Sequence, residues 1–555
     1  MAPTSPHRSS GKSCLLFKFQ IALVDSLLIP SPGTEIAKPE EHHHERLSQE
    51  AGSPGARNVP TKKQFTGITM ISMAFVICNS WAGISGSLQL ALLAGGPVTL
   101  VYSIIVSTSA YLSIAGSMAE LSSVYPTAGG QYHFTSILAP KKWRRGLSYT
   151  CGLLAMLSWI SIGATVTMLA AEQVLSVTSI SISGYERKSW HVFFVYQAMV
   201  LLATVYNALV LKRAPWTHTV GFLLTLSIFL IQFIGLLARS TPKQPSKVVW
   251  TSFINLTGWP DGVCFLIGLS TSCFIYVGLD AALHMAEECQ QPERVVPRTI
   301  MAAVGIGFVT AFGYAVAQLY ALSDISYILT TDEWIPPLVL IQGLRSRSMA
   351  LSMISIGVVM VLFMVFAIQE TSSRLAWSLA RDNGFIFSKY LNRIHPTLDI
   401  PLWGLFLVWL LTFLCGFIFL ASHTAFSAIV SSSIILQQLS FAIPIVLLLV
   451  QKRSTVFLPS TRSFRVPNIL GWIMNSWAAA YVILLTVVLC FPIRIPTSAP
   501  SMNYAVVILG VAFVLSLANW LLHARKHYHG PAIELWGRDY SNGVYHASVH
   551  PEFEK

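Results

Sequence analysis

About twelve apolar stretches, each some twenty residues or longer, recur along this chain and leave it few ways to fold. They lie near 66–93, 97–124, 147–172, 190–211, 217–239, 261–288, 299–322, 350–380, 402–420, 424–450, 468–491 and 502–523. A hydrocarbon core ~30 Å thick is crossed by roughly 20 residues of helix. In lipid, only helices and closed barrels satisfy every backbone N–H and C=O group. These runs are too long and too continuous for the alternating strands of a barrel. The sequence therefore predicts an all-α membrane protein of about twelve transmembrane helices. Only 11% of the residues are charged, against about 25% in soluble domains, too few to cover a soluble protein of this size.

Lysine and arginine in the connecting segments set the expected orientation. With the N-terminus inside, the inner loops carry Lys141, Lys142, Arg144, Arg145, Lys212, Arg213, Arg294, Arg298, Arg374, Arg381, Lys389, Arg393, Lys452, Arg453, Arg462 and Arg465. The outer loops carry half as many: Arg187, Lys188, Arg239, Lys243, Lys247, Arg345, Arg347 and Arg494. Both termini are expected in the cytosol. The net charge of +12 then reports topology and not a nucleic-acid partner. The eight cysteines are scattered without a CxxC pair and read as small buried hydrophobes. The segment 1–64 reads as a polar tail, although 14–30 is apolar and interrupted by Lys18, Gln20 and Asp25. His42–His44 read as a solvated run and not a metal site. Residues 525–555 read as a second cytosolic tail.

Two spans are interrupted in a way that points to function. The sixth ends in "FIYVGLDAALHMAEE", with Gly278 and Asp280 inside the apolar run. Glycine alone marks close helix packing. A carboxylate at that depth is costly and faces a cavity or a partner. The first contains "SWAGISGSLQLALLAGG", where Gly83, Ser85, Gly86 and Ser87 weaken the helix near its middle. Interrupted spans at corresponding positions of two halves mark the binding site of an inverted-repeat transporter. Unwinding frees amides that attract a carboxylate and carbonyls that attract an ammonium.

Three stretches resemble the amino acid–polyamine–organocation superfamily, in its fungal amino acid/choline and GABA permease group. They are "GLDAALHMAEECQQPERVVPRTI" at 278–300, "AELSSVYPTAGGQYHF" at 119–134 and "SSRLAWSLARDNGFIFS" at 372–388. The resemblance covers roughly 65–524. It implies a LeuT-like five-plus-five inverted repeat, with repeats at 65–240 and 258–450 and two extra helices at 467–523. It implies a secondary transporter, often proton-driven, for an amino acid, GABA, choline or a polyamine. On that pattern the substrate backbone meets Gly83, Ser85, Gly86 and Ser87 in the first span. In the sixth it meets Phe274, Tyr276, Val277, Gly278 and Asp280. Trp81 and Tyr276 are expected either to wall the pocket, facing a cation through their rings, or to pack as ordinary core aromatics.

Glu370, in "MVFAIQETSSRLAW", departs from the family, where a small or neutral residue is expected. It is a candidate proton carrier, with pairing to Arg374 one turn on as the alternative. Thr371 and Ser372 are either sodium ligands or bonded to their own helix. Glu120 reads as structural. No phosphate-binding loop, metal motif or catalytic grouping is present, so neither a cofactor nor an enzyme activity is expected. The leading expectation is a proton symporter in the plasma membrane, with the vacuolar membrane as the alternative site. A non-transporting nutrient sensor of the same fold is the competing reading.

Overall fold

The computed structural model describes residues 63, 65–211, 214, 216–331, 333–498 and 502–531. The interrupted apolar stretch at 14–30 and His42–His44 lie outside them. Among the described residues the secondary structure is helical, with only two isolated β-bridges. Twelve helices among the described residues are long and apolar enough to cross a membrane. In chain order they are α1 Gly67–Gly86, α2 Gly96–Val124, α3 Arg144–Ser181, α4 Ser189–Leu209, α5 Thr217–Arg239, α6 Asp261–His284, α7 Pro292–Ala321, α8 Arg347–Arg381, α9 Leu402–Ala421, α10 His423–Val450, α11 Asn468–Val488 and α12 Ala505–His527.

α1 and α6 are the two spans broken near their middle, and each break has a local cause; α12 carries a π-helical turn, Trp520–Ala524, near its end. The first segment of α1 stops at Cys78 because Asn79 adopts the left-handed conformation, φ 35° and ψ 52°. Asn tolerates that region better than most residues do. Its amide still donates to the Phe75 carbonyl, so the chain turns without wasting that bond. A second helical segment runs Ser80–Gly86, and Ser87 interrupts the helix again before Leu88–Leu93. The sequence reading places the break at Gly83–Ser87. The structure keeps Gly83, Ser85 and Gly86 helical and moves the main break upstream to Asn79.

In α6 the α-helix Asp261–Leu269 tightens into a 3₁₀ stretch, Ser270–Tyr276. Val277 is then extended and Gly278 sits at φ +80°. That conformation strains any residue with a Cβ. A short helix, Ala281–His284, resumes the span.

α1 packs on α5, α7 and α8, while α3 packs on α8 and α10. A short helix, Gln131–Leu138, between α2 and α3 packs on α3 and α10. The last described segment is more than a polar tail. Tyr528 is fully buried, its hydroxyl 2.7 Å from Ser148 Oγ. Arg145 Nε donates to the Tyr528 carbonyl at 2.8 Å. All seven described cysteines are free thiols.

Candidate substrate and ion site

α1 and α6 touch where both are irregular. A Cβ built on Gly278 would lie 2.4 Å from Ile77 Cγ2, and one on Gly83 would lie 2.9 Å from the Phe274 carbonyl oxygen. Ser80 Oγ donates to the Ile275 carbonyl at 2.7 Å, and Ser87 Oγ to the Thr271 carbonyl at 3.3 Å. Each break strands backbone groups. The amides of Ser80, Trp81, Gly278 and Asp280 donate to no backbone carbonyl among the described residues. Beside them, Asn79 is 1% exposed. Its Nδ2 donates to the Met360 thioether of α8 at 3.6 Å, while its Oδ1 is buried without a partner.

The other residues singled out in the sequence separate into groups. Gly83 is the contact between α1 and α6. Nothing lies within 4 Å of a Cβ on Gly86. Ser85 Oγ accepts from Gln318 Nε2 of α7 at 2.7 Å. Phe274 is half-buried and Val277 buried. Trp81 and Tyr276 do not face each other across a pocket. Trp81 meets Tyr314 edge-on, centroids 5.1 Å apart, with Phe229 at 6.0 Å. Tyr276 leans on Tyr111 of α2 at 4.7 Å, its hydroxyl 2.7 Å from Thr108 Oγ1. The two rings point to different neighbours and form no aromatic box.

Asp280 is enclosed by protein. Its Oδ2 accepts from Gln131 Nε2 at 2.5 Å and from Trp159 Nε1 of α3 at 3.2 Å. Its Oδ1 accepts from Gln437 Nε2 of α10 at 3.0 Å. His284 Nε2 lies 3.0 Å from Oδ2, and its Nδ1 lies 2.9 Å from the Ala128 carbonyl oxygen. The sequence reading leaves Asp280 either a substrate contact or a prop for the broken segment, and its hydrogen bonds hold the unwound segment against three other elements. Asp280→Asn keeps the size and offers one acceptor oxygen where three N–H groups converge. It is expected to weaken uptake of charged and neutral substrates alike. Concentration curves for several substrates check this, and a loss confined to amines would restore Asp280 as a substrate contact.

Glu370 is fully buried, and its surroundings differ from those of Asp280. His218 Nε2, from the first turn of α5, lies 3.0 Å from Oε2, and an Arg374 terminal nitrogen lies 3.6 Å from Oε1. Neither contact is aligned as a hydrogen bond, so both carboxylate oxygens lack a donor. The His218 contact is short but misaligned, and alignment decides whether a bond is made. Arg374 is bound elsewhere, its Nε donating to Glu288 Oε1 at 2.9 Å. The pairing of Glu370 with Arg374 expected from sequence is thus the weaker one, and His218 is the nearer partner. Thr371 and Ser372 bond back to the Ala367 and Ile368 carbonyls at 2.9 and 2.7 Å.

Further pairs tie down the same end of the bundle. Arg381 grips Glu287 with two nitrogens at 2.8 and 2.9 Å, and the Ala128 amide adds a third bond at 3.1 Å. Burial pushes the Glu287 carboxyl up. The Arg381 bonds and charge and the Ala128 amide outweigh that and hold it below its usual range. Glu120 is likewise closed, between Arg453, Arg462 at 2.8 Å and the Val466 amide at 3.0 Å. The sequence reading missed Asn79, Gln131, Trp159, His218 and Gln437. Gln437 carried a signal, as a neighbouring glutamine pair, Gln437–Gln438, inside an apolar run. Trp159 carried none.

Comparison with known proteins places this geometry. A family model described as amino acid permease matches residues 68–513. A choline transporter of Saccharomyces cerevisiae is 31% identical over 474 residues, covering 85% of this chain and 83% of that one. A transmembrane transporter of Metarhizium robertsii is 29% identical, covering 90% and 98%. An amino-acid permease of Arabidopsis thaliana is 26% identical, covering 85% and 93%. Among solved structures, a manganese transporter of Eremococcus coleocola matches with a TM-score of 0.51 at 13% identity, over 82% of this chain and 92% of that one. The last likeness is one of fold.

Proposed function

The chain belongs to the amino acid permease family, and on that premise we propose that it is a proton symporter for amino acids or related amines such as GABA, choline or polyamines. The fold is the LeuT-like one, and the protein is a multi-pass membrane transporter and not an enzyme. The observation that carries the substrate reading is the pair of apposed breaks. Stranded amides at Ser80, Trp81, Gly278 and Asp280 are donors for a substrate carboxylate. The first segment of α1 ends at the break, bringing the negative end of its dipole to an ammonium. Gly83, Ser85, Gly86 and Ser87 on one side and Phe274 to Asp280 on the other frame that space.

The contrast between two buried carboxylates supports proton coupling. Asp280 is bonded by Gln131, Trp159, Gln437 and His284, which favour its ionised form. Glu370 accepts none, so the ionised form is supported by nearby charge alone. It is the carboxylate that a proton would neutralise with less loss. The reading places both termini in the cytosol, repeats at 65–240 and 258–450, and the protein in the plasma membrane, with the vacuolar membrane as second choice. The test is uptake of radiolabelled amino acids, GABA, choline and putrescine in cells lacking their own permeases, at several external pH values. Accumulation that grows as external pH falls is expected. Binding without uptake of any compound would favour a sensor of the same fold.

A further inference from the structure

We infer that Asn79 selects substrates by the N–H bonds of their cationic head, so that this chain takes primary, secondary and tertiary ammonium compounds and rejects quaternary ones. The inference rests on the binding site proposed above and narrows its substrates, removing choline from the amines named there. Asn79 is the hinge of α1, left-handed at φ 35° and 1% exposed. A thioether accepts hydrogen bonds but cannot donate them. The contact from Nδ2 to Met360 Sδ therefore fixes which way the amide points and leaves Oδ1 on the other side. That oxygen is buried and receives no donor from the protein. Buried polar atoms are nearly always partnered.

Within the two breaks themselves, the other groups suited to a cation are taken or turned away. Asp280, the nearest intramembrane carboxylate on α6, is filled by Gln131, Trp159, Gln437 and His284. Trp81 and Tyr276 pack against Tyr314 and Tyr111 and offer no joint aromatic surface for a methylated head. Oδ1 remains, at the negative end of a helix. It attracts a cation most strongly when the cation carries an N–H to donate. A trimethylated head has none and would cover the oxygen with methyl groups.

The experiment uses the N-methyl series of GABA: the parent, N-methyl, N,N-dimethyl and N,N,N-trimethyl compounds. The first three carry an N–H when protonated and the last does not. Each competes against whichever radiolabelled amine is taken up. Thermal stabilisation of the purified full chain by the same four compounds runs in parallel. We expect a gradual decline over the first three and then a step of roughly tenfold or more at the last, the loss of a charge-assisted hydrogen bond. Asn79→Gly keeps the left-handed hinge at no steric cost and removes the oxygen. It should abolish the step by weakening the first three compounds. Asn79→Asp restores an acceptor and should restore the step. A trimethyl compound that competes as well as the dimethyl one overturns the inference, as does a step that survives in Asn79→Gly. If the series stabilises the purified protein but nothing is transported, the transport reading fails and the binding series still decides the role of Asn79.

Discussion

Gly278→Ala is expected to abolish uptake while the protein still reaches its membrane. Gly278 sits at φ +80°, where a residue with a Cβ is strained by roughly 1–2 kcal/mol. The added carbon would also lie 2.4 Å from Ile77 Cγ2 and 3.4 Å from Trp159 Cη2. Ile77 precedes the hinge at Asn79 by two residues, so relief of the clash must push apart the two breaks that frame the site. The rest of the bundle does not depend on this point, and surface level should hold. Gly83→Ala meets the Phe274 carbonyl at 2.9 Å and should cost less, because its backbone is helical. Gly86→Ala should cost least, since nothing lies within 4 Å of its Cβ. Gly305→Ala in α7, also in open space, is the neutral control. Uptake normalised to surface protein gives the order. Wild-type uptake by Gly278→Ala would remove the α6 break from the mechanism.

That ordering shows what sequence could and could not reveal. The spans were legible because length and hydropathy alone decide whether a segment suits lipid. Gly278 beside Asp280 was legible because both are expensive in a membrane helix. Four small residues at 83–87 looked like the corresponding break, but composition reports only that a helix is weak. Where it yields is settled by tertiary contact, and here it yields at Asn79, whose tolerance of the left-handed region is a weaker signal than a glycine's. The environment of Asp280 was hidden for a related reason. Its partners come from Gln131, Trp159, His284 and Gln437, up to 157 positions away. A single sequence records that a carboxylate needs donors and is silent on which distant residues supply them. The same limit hid His218, whose contact with Glu370 spans from α5 to α8.

Glu370→Gln is expected to leave exchange intact and to abolish accumulation. Glutamine mimics the protonated acid permanently, so a carrier that must load and release a proton at this point would lose the link between proton and substrate. Removing a charge from a buried pair usually destabilises by roughly 3–5 kcal/mol, because the partner is left unpaired. That cost is smaller here. Arg374 keeps its 2.9 Å bond to Glu288, and its distance to Glu370 was already 3.6 Å. His218 can remain uncharged beside an amide. Protein level should therefore hold, and the change should fall on coupling. Counterflow of labelled substrate between equal pools should proceed at near wild-type rate. Uptake against a gradient should vanish, together with its dependence on external pH. His218→Gln should share the loss of pH dependence, since it removes the titratable group nearest the same carboxylate. A merely structural role predicts another pattern, in which both variants lose surface protein and the remaining molecules accumulate normally. Concentrative, pH-sensitive uptake by Glu370→Gln would exclude this carboxylate as the proton carrier and leave the driving ion to be sought elsewhere in the bundle.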